Sequence, residues 1–428
     1  MTPQSNFMVA APILPAREQA LRALLATMNH RPGIVDPDNP LFPFGRFDAI
    51  HVARFVILHD HTLDDLPPDD LLRDAPVWLV FLGDCDGDAA ALLEHFARQA
   101  ADGLRRIFSH CTGFSHDIDL LRWMRDHSTA PTAQYVNWVG RTVRQIREEA
   151  MLHAALRAFL AENEAELAHQ PSGLVRYRLI ASQRANGPAL TPAAPTPLPW
   201  LLGHLLSLVG VPLGLLLVFV LSPLWAPFFL WQLRRRETTD PVIAPRPTPA
   251  HVDALGAIED HDVTNQFSAF GSLKPGRFRL WTLLFIFWVL DFSTRQIYMR
   301  GRLARVGTIH FARWVFLDDR RRLFFASNYD GSLDSYMDDF INKVAYGLNL
   351  VFSNGVGYPR TSFLLCGGAR NEQPFKYYLR RHELPTQVWY KAYPGLTTAD
   401  LARNTMIREG LEGGAMSESE ARRWLALI

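Results

Sequence analysis

The chain has 428 residues, 48% of them hydrophobic, which is enough for large buried cores and predicts two to three domains. Its 44 Lys and Arg residues nearly balance 43 Asp and Glu residues, so a net charge of +1 argues against a nucleic-acid partner. Cys85, Cys111 and Cys366 form no CxxC or zinc spacing, which favours a reducing compartment without disulfides. The amino terminus lacks a basic stretch followed by a long apolar run, and predicts no signal peptide.

The first part of the chain, residues 1–170, predicts alternating strands and helices. Runs rich in β-branched and aromatic residues predict strands at 6–14, 49–58, 76–83 and 134–139. Apolar residues at helical spacing predict helices at 16–29, 88–110, 118–127 and 141–168. The core order is β-α-β-β-α-β, which is the ferredoxin-like arrangement.

An uncharged, apolar stretch occupies the middle of the chain. Residues 171–199 form a linker that is Pro-rich at its end, residues 200–233 are long and apolar enough for a membrane segment, and residues 234–260 form a second linker. The segment is predicted to be either a helical hairpin or one long span. The cluster Arg234 to Arg236 predicts that its end is cytoplasmic, which places the flanking modules on the cytoplasmic face of the cytoplasmic membrane.

Residues 261–428 predict the same order of elements again. Strands are expected at 266–273, 308–317, 323–327 and 387–393, and helices at 278–298, 332–350, 374–382 and 398–411. The helix at 278–298 carries an apolar block, residues 281–290, that is too short to span a bilayer. It is predicted to lie in the membrane interface, the alternative being a hydrophobic core helix.

Identical residues recur at constant offsets, which indicates an internal duplication. At an offset of 259, His51, Ala53 and Arg54 recur as His310, Ala312 and Arg313. At an offset of 244, Asp86, Gly87, Gly103, Leu104 and Phe108 recur as Asp330, Gly331, Gly347, Leu348 and Phe352. The pattern resembles dimeric α+β barrel proteins. This resemblance implies an α+β fold of two ferredoxin-like modules, paired through their sheet faces within one chain.

The recurring polar residues are the candidate site. Alternation along the second strand puts His310, Ala312 and Trp314 on one face and Arg313 on the other, and the first copy repeats this split. If the histidine face lines the space between the sheets, His51 and His310 approach each other, which would suit haem or metal ligation or proton transfer. The alternative is a hydrogen-bonded core histidine.

Arg54 and Arg313 lie among apolar neighbours, and a buried arginine requires an anion. Asp86 and Asp330 follow the adjacent strand in each copy and are the predicted partners. These pairs are either structural ion pairs or the polar part of a pocket between a sheet and its helices.

The segments GDCDG (83–87) and SNYDG (327–331) carry the two aspartates. Turn formation and helix capping explain both segments. The first also resembles the GxxDG motif of dye-decolorising peroxidases, which are built from two ferredoxin-like modules. That resemblance implies a distal Asp and Arg beside haem, with His382 as the best match for the haem ligand. Ser327 replaces the first glycine in the second copy. The segments HFARWV and SNYDGS also resemble bacterial membrane-associated proteins, which implies the duplicated fold but no activity.

Two functions follow from these patterns. The first is a membrane-associated, peroxidase-like or haem-binding protein that acts on an apolar, lipid-like substrate near Arg313 and Asp330. The second is a non-catalytic binding or accessory protein that holds an apolar ligand or a protein partner. The expected partners are the lipid bilayer, an apolar small molecule, and a membrane or redox protein.

Overall fold

A computed structural model describes residues 1–301, 303 and 305–428. The fold is mixed α+β, with 50% of the chain in helices and 19% in strands. Two four-stranded antiparallel sheets form its centre, and helices cover their outer faces. The predicted α+β class is therefore confirmed.

The strands are β1 (Gln4–Pro12), β2 (Asn29–Arg31), β3 (Ile34–Val35), β4 (Ile50–Leu58), β5 (Trp78–Asp86), β6 (Ala133–Val136), β7 (Thr264–Ser272), β8 (Ile309–Leu317), β9 (Arg322–Asp330), β10 (Thr361–Ser362), β11 (Cys366–Gly367) and β12 (Thr386–Lys391). The strands of the two four-stranded sheets lie within a few residues of the predicted positions, whereas the short strands β2, β3, β10 and β11 were not predicted. The helices are α1 (Glu18–Ala26), α2 (Ala89–Gln99), α3 (Ala101–Phe108), α4 (Leu120–Asp126), α5 (Val143–Glu162), α6 (Glu164–Leu167), α7 (Ser172–Asn186), α8 (Leu198–Val220), α9 (Ser222–Thr239), α10 (Pro249–Gly256), α11 (Arg277–Gln296), α12 (Leu333–Phe352), α13 (Glu372–His382), α14 (Thr398–Glu412) and α15 (Glu418–Leu425).

The two halves of the chain exchange their fourth strands. The first sheet has the order β1-β5-β4-β12 and the second has the order β6-β8-β9-β7. Thus β12 of the second half pairs with β4, with Tyr390 opposite Ala53, and β6 of the first half pairs with β8, with Tyr135 opposite Ala312. The sequence analysis predicts that each fourth strand completes the sheet of its own half. The structure shows instead that each one completes the sheet of the other half. The exchange is possible because the unpaired edge of each sheet can accept a strand from the other half of the chain.

The sheets pack face to face through a core made of strand residues from both of them. Its members include Val56 and Leu82 from the first sheet and Val315 and Phe324 from the second. Because neither sheet is complete without a strand from the other half, residues 1–186 and 264–428 form one folded body.

The apolar middle segment consists of two helices. Helix α8 is long and apolar enough to cross a membrane, and its apolar window is exposed throughout. It stops at Leu221, and near this junction Trp225 Nε1 donates to Val218 O over 3.1 Å. Both helices return to α11: Gln296 Nε2 donates to His204 O in α8, and the ring of Phe229 in α9 lies 5.3 Å from that of Phe278. The apolar segment thus contacts the folded body through both helices, and the choice between a hairpin and a single span stays a prediction.

Helix α11 has a buried face and an exposed face. Leu283 and Phe287 are buried against the second sheet, as in a core helix. Trp281 remains 68% exposed on the other face, where Trp288 packs near Gly214 of α8. The interfacial location of this exposed face stays a prediction.

The exchanged strands predict that both flanks of the apolar segment lie on one side of the membrane, because strands cannot pair across a bilayer. Ala193→Cys and Ala244→Cys, each introduced with Cys366→Ser, report the two exposed flanks. We expect an impermeant maleimide to label both from the same side in vesicles of known orientation. Labelling from opposite sides would show that the segment crosses once and that the sheets do not assemble as described.

Candidate functional site

Two buried arginines connect the sheets. Arg54 extends from β4 into the second sheet, where it donates to Phe267 O and Ser327 O, each over 2.9 Å. It also donates to Ser268 Oγ over 3.0 Å and to Asn328 Oδ1. With 2% of its surface exposed, this guanidinium is bonded almost wholly to the opposite sheet.

Arg313 makes the reciprocal contacts from β8. It donates to Phe7 O and Gly83 O over 3.0 Å, and its Nη2 lies 2.6 Å from Asp84 Oδ2. The partners of both arginines are equivalent under the sequence repeat. The predicted pairing of Arg54 with Asp86 and of Arg313 with Asp330 is therefore wrong, since each arginine crosses to the other sheet.

The two arginine sites differ in charge. Arg313 faces the carboxylate of Asp84, whereas Arg54 faces the neutral amide of Asn328 at the equivalent position. Burial and the nearby charge of Arg313 lower the pKa of Arg54 to about 9. One carboxylate thus compensates two buried guanidinium groups.

The two aspartates of the repeat bind histidines instead. His51 Nε2 lies 2.9 Å from Asp86 Oδ1, and His310 Nε2 lies 2.6 Å from Asp330 Oδ1. The strand face that carries Arg54 and Arg313 lies between the two sheets. The sequence analysis considered the histidine face for this position, so the two faces are reversed. A break in the strand register after Ile50 and after Ile309 disrupts simple alternation at the two histidines.

The second oxygen of each aspartate binds the first N–H of a helix. Val143 N at the start of α5 donates to Asp86 Oδ2 over 2.9 Å, and Thr398 N at the start of α14 donates to Asp330 Oδ2 over 2.7 Å. A carboxylate is stabilised at a helix N-terminus. The Asp-Gly pairs therefore attach the helix that follows each exchanged strand, and Gly331 takes the positive φ of +85° that the turn requires.

Tyr393 lies between the two histidines. Its hydroxyl is 3.2 Å from His51 Nδ1, and its ring centroid is 6.3 Å from that of His310. Burial lowers the pKa of His310 and that of Lys391, whose Nζ donates to Thr264 Oγ1 over 2.6 Å. The two histidines, which were predicted to approach each other, thus both lie beside Tyr393 in a hydrogen-bonded network.

His382, to which the peroxidase resemblance assigns haem ligation, is buried at the end of α13. Its Nδ1 lies 2.8 Å from Tyr378 O, and its Nε2 lies 3.4 Å from Thr62 Oγ1. The free space beside the ring is about 20 Å³, enough for about one water molecule. Both ring nitrogens of His382 thus lie within hydrogen-bonding distance of protein groups, and haem binding stays a prediction.

An apolar cavity of about 390 Å³ lies between the second sheet, α11 and α12. Ala312 and Trp314 of β8 form part of its floor, so it lies on the opposite face of the strand from Arg313. Its other lining residues are mostly apolar and include Phe267, Phe285, Val289, Phe325, Met337, Phe340, Gly347 and Val351. This cavity is a candidate ligand site that the sequence reasoning did not identify.

The equivalent space in the first half is filled by Phe42. Its ring centroid lies 6.3 Å from that of Phe55, 5.1 Å from that of Phe81 and 4.9 Å from that of Phe96. At the repeat offsets these three residues correspond to Trp314, Phe325 and Phe340, all of which line the cavity. The cavity thus occupies the place that the Phe42 loop takes in the other copy.

The repeated glycines show the same difference. A Cβ on Gly103 would lie 1.8 Å from Leu41 O, so the first copy needs glycine for close approach of the loop. A Cβ on Gly347 would meet no atom within 4 Å. Trp314 also has a buried Nε1 that finds no acceptor among the described protein groups, which is unusual for a buried donor.

Comparisons of the chain with protein-family models, curated proteins and solved structures find no match. Within residues 1–301, 303 and 305–428, no group of three or more His, Cys, Asp and Glu side chains is arranged to hold a metal ion. The function proposed below is derived from the cavity and its surroundings.

The unequal arginine sites predict unequal effects of substitution. Arg313→Met leaves the buried carboxylate of Asp84 unpaired and should lower the free energy of unfolding by about 3–5 kcal/mol. Arg54→Met leaves only neutral acceptors and should cost less. Unfolding in detergent checks both variants. Asp84→Asn combined with Arg313→Met should recover part of the loss, and no recovery would contradict the proposed pairing.

The burial of His310 predicts that the free energy of unfolding of the protein decreases in acid. Its pKa is lowered by burial, so below its unfolded value of about 6.5 the unfolded chain binds more protons than the folded one. The free energy of unfolding should therefore fall as the pH decreases below about 6.5. His310→Gln should flatten this slope, whereas His95→Gln, at an exposed position, should leave it unchanged. Equal slopes in the three proteins would contradict the buried, neutral histidine.

Proposed function

We propose that this chain is a membrane-associated binding protein that holds one apolar, lipid-like ligand in the cavity of its second half. The observation that carries the proposal is the cavity itself, a mostly apolar space where the other copy has a packed core. Its volume lies within the roughly 300–1,000 Å³ of small-molecule sites. The function is that of the second sequence hypothesis, a non-catalytic binding protein.

An energetic estimate favours an occupant. Filling this mostly apolar space with an apolar ligand removes apolar surface from water and gains about 0.8 kcal/mol for each buried CH₂ group.

The route from a bilayer to the cavity is short in this arrangement. Helix α11 forms one wall of the cavity through Phe285 and Val289. The ring of Phe285 lies 5.8 Å from that of Trp288, which in turn lies near Gly214 of α8. Helix α8 is the helix with the length and composition of a membrane segment. We place α8, α9 and the exposed side of α11 in the lipid, so that the ligand enters along α11.

The proposal also includes the pairing of the two modules and their orientation relative to the membrane. The strand exchange and the sheet-to-sheet core support two ferredoxin-like modules paired as an intramolecular dimeric α+β barrel. Arg234 to Arg236 at the end of the apolar segment support a location on the cytoplasmic face of the cytoplasmic membrane. In this arrangement the first module is the packed support and the second is the binding module.

Filling the cavity should abolish ligand binding without unfolding the protein. Gly347→Phe places a ring in open space on α12, and any residue other than proline in place of glycine favours a helix. We expect wild-type protein, purified in mild detergent, to retain about one lipid per chain by extraction and mass spectrometry. Gly347→Phe should retain almost none, at an equal or higher unfolding temperature.

Gly347→Ala is the matched control, because it adds one methyl group and leaves most of the cavity open. It should retain lipid as the wild type does. Equal lipid content in the Phe and Ala variants would contradict the cavity as the site. A stoichiometric Soret band in the visible spectrum after haem supplementation, lost in His382→Ala, would instead favour the peroxidase-like hypothesis.

A further inference from the structure

The cavity continues into an open recess that is lined by cations. Tyr298 and Tyr346 line both spaces and therefore stand where they meet. The recess has a volume of about 900 Å³, and its described lining includes Arg300, Arg305 and Lys343 and no carboxylate. The mostly apolar cavity thus opens at one end into this basic recess, which we call the vestibule.

We propose that the ligand is a single-chain phospholipid with an acidic head group. Its acyl chain lies in the cavity and its phosphate lies in the vestibule, beside Arg300, Arg305 and Lys343. This assignment rests on the proposed function and adds the chemical class of the ligand.

The relative sizes of the two spaces favour this class. The cavity of about 390 Å³ is near the lower end of the range for small-molecule sites, which suits one chain better than two. The vestibule is larger than the cavity, which suits a glycerophosphate better than a bare carboxylate. Arginine guanidinium groups bind phosphate oxygens in a bidentate manner.

The position of the vestibule agrees with the orientation of a lipid. It lies beyond the C-terminal end of α11, where Gln296 bonds to His204 near the start of α8. The rings of Trp200 and His204 stack at 5.0 Å in this first turn of the apolar segment. Tryptophan is enriched at the membrane interface, so this end of α11 lies at the depth of lipid head groups.

One neighbouring acid has to be considered. Lys343 Nζ lies 2.6 Å from Asp339 Oδ1 on the same helix, and both groups are solvent-exposed. Exposed pairs of this kind contribute only about 0–1 kcal/mol. A phosphate dianion can therefore compete for the ammonium group.

The test uses three lipids with the same oleoyl chain: lysophosphatidate, uncharged monoolein and oleate. Binding is measured on the full-length protein in detergent at two salt concentrations, because screening weakens only the charged contacts. We expect lysophosphatidate to bind roughly tenfold more tightly than monoolein at low salt. Arg300→Gln with Lys343→Gln should remove most of this difference and leave monoolein binding unchanged.

Arg295→Gln is the control, since Arg295 is exposed, pairs with Asp291 and lies outside the vestibule. Equal affinity for lysophosphatidate and monoolein would overturn the role of the cations, while the apolar cavity would still stand as the site. Tighter binding of oleate than of lysophosphatidate would overturn the phosphate head group. If none of the three lipids binds, the proposed function itself fails.

Discussion

The two arginines that cross between the sheets are the constraint on which the rest of the structure depends. Each guanidinium satisfies two main-chain carbonyls of the opposite sheet, at repeat-equivalent positions. These bonds fix how the sheets are placed on each other, since a shift would leave buried charges and carbonyls unpaired. The same placement brings the histidine–aspartate pairs to the ends of the sheets, where they hold the helices that follow the exchanged strands.

On this shared framework the two copies have diverged in how they fill one space. The first copy closes it with a phenylalanine-rich loop at residues 41–47, and the second leaves it open beneath a longer, more apolar helix. In structural terms, a loss of core packing in one copy is tolerated because the other copy remains fully packed. The apolar segment contacts the helix that covers the open copy.

The sequence pattern predicts the strands of the two main sheets and the Asp-Gly turns well, because period-two alternation and glycine requirements are local properties. It predicts the partners of Arg54 and Arg313 wrongly, since strand pairing and sheet packing join residues that are far apart in sequence. The register breaks at His51 and His310 are single-residue irregularities that alternation cannot show. The cavity had one signal in the sequence: at the offset of 259, Phe42 corresponds to Gly301, so the second half lacks this aromatic side chain.

The exchanged strands also determine the order in which this chain can be assembled. Ala53 pairs with Tyr390, so the first sheet lacks its edge strand until nearly the whole chain has been synthesised. The apolar segment at residues 198–233 leaves the ribosome well before that strand does. Pairings this distant in sequence form slowly. In the proposed membrane arrangement, the nascent chain is therefore attached to the bilayer while its first sheet still has an open edge.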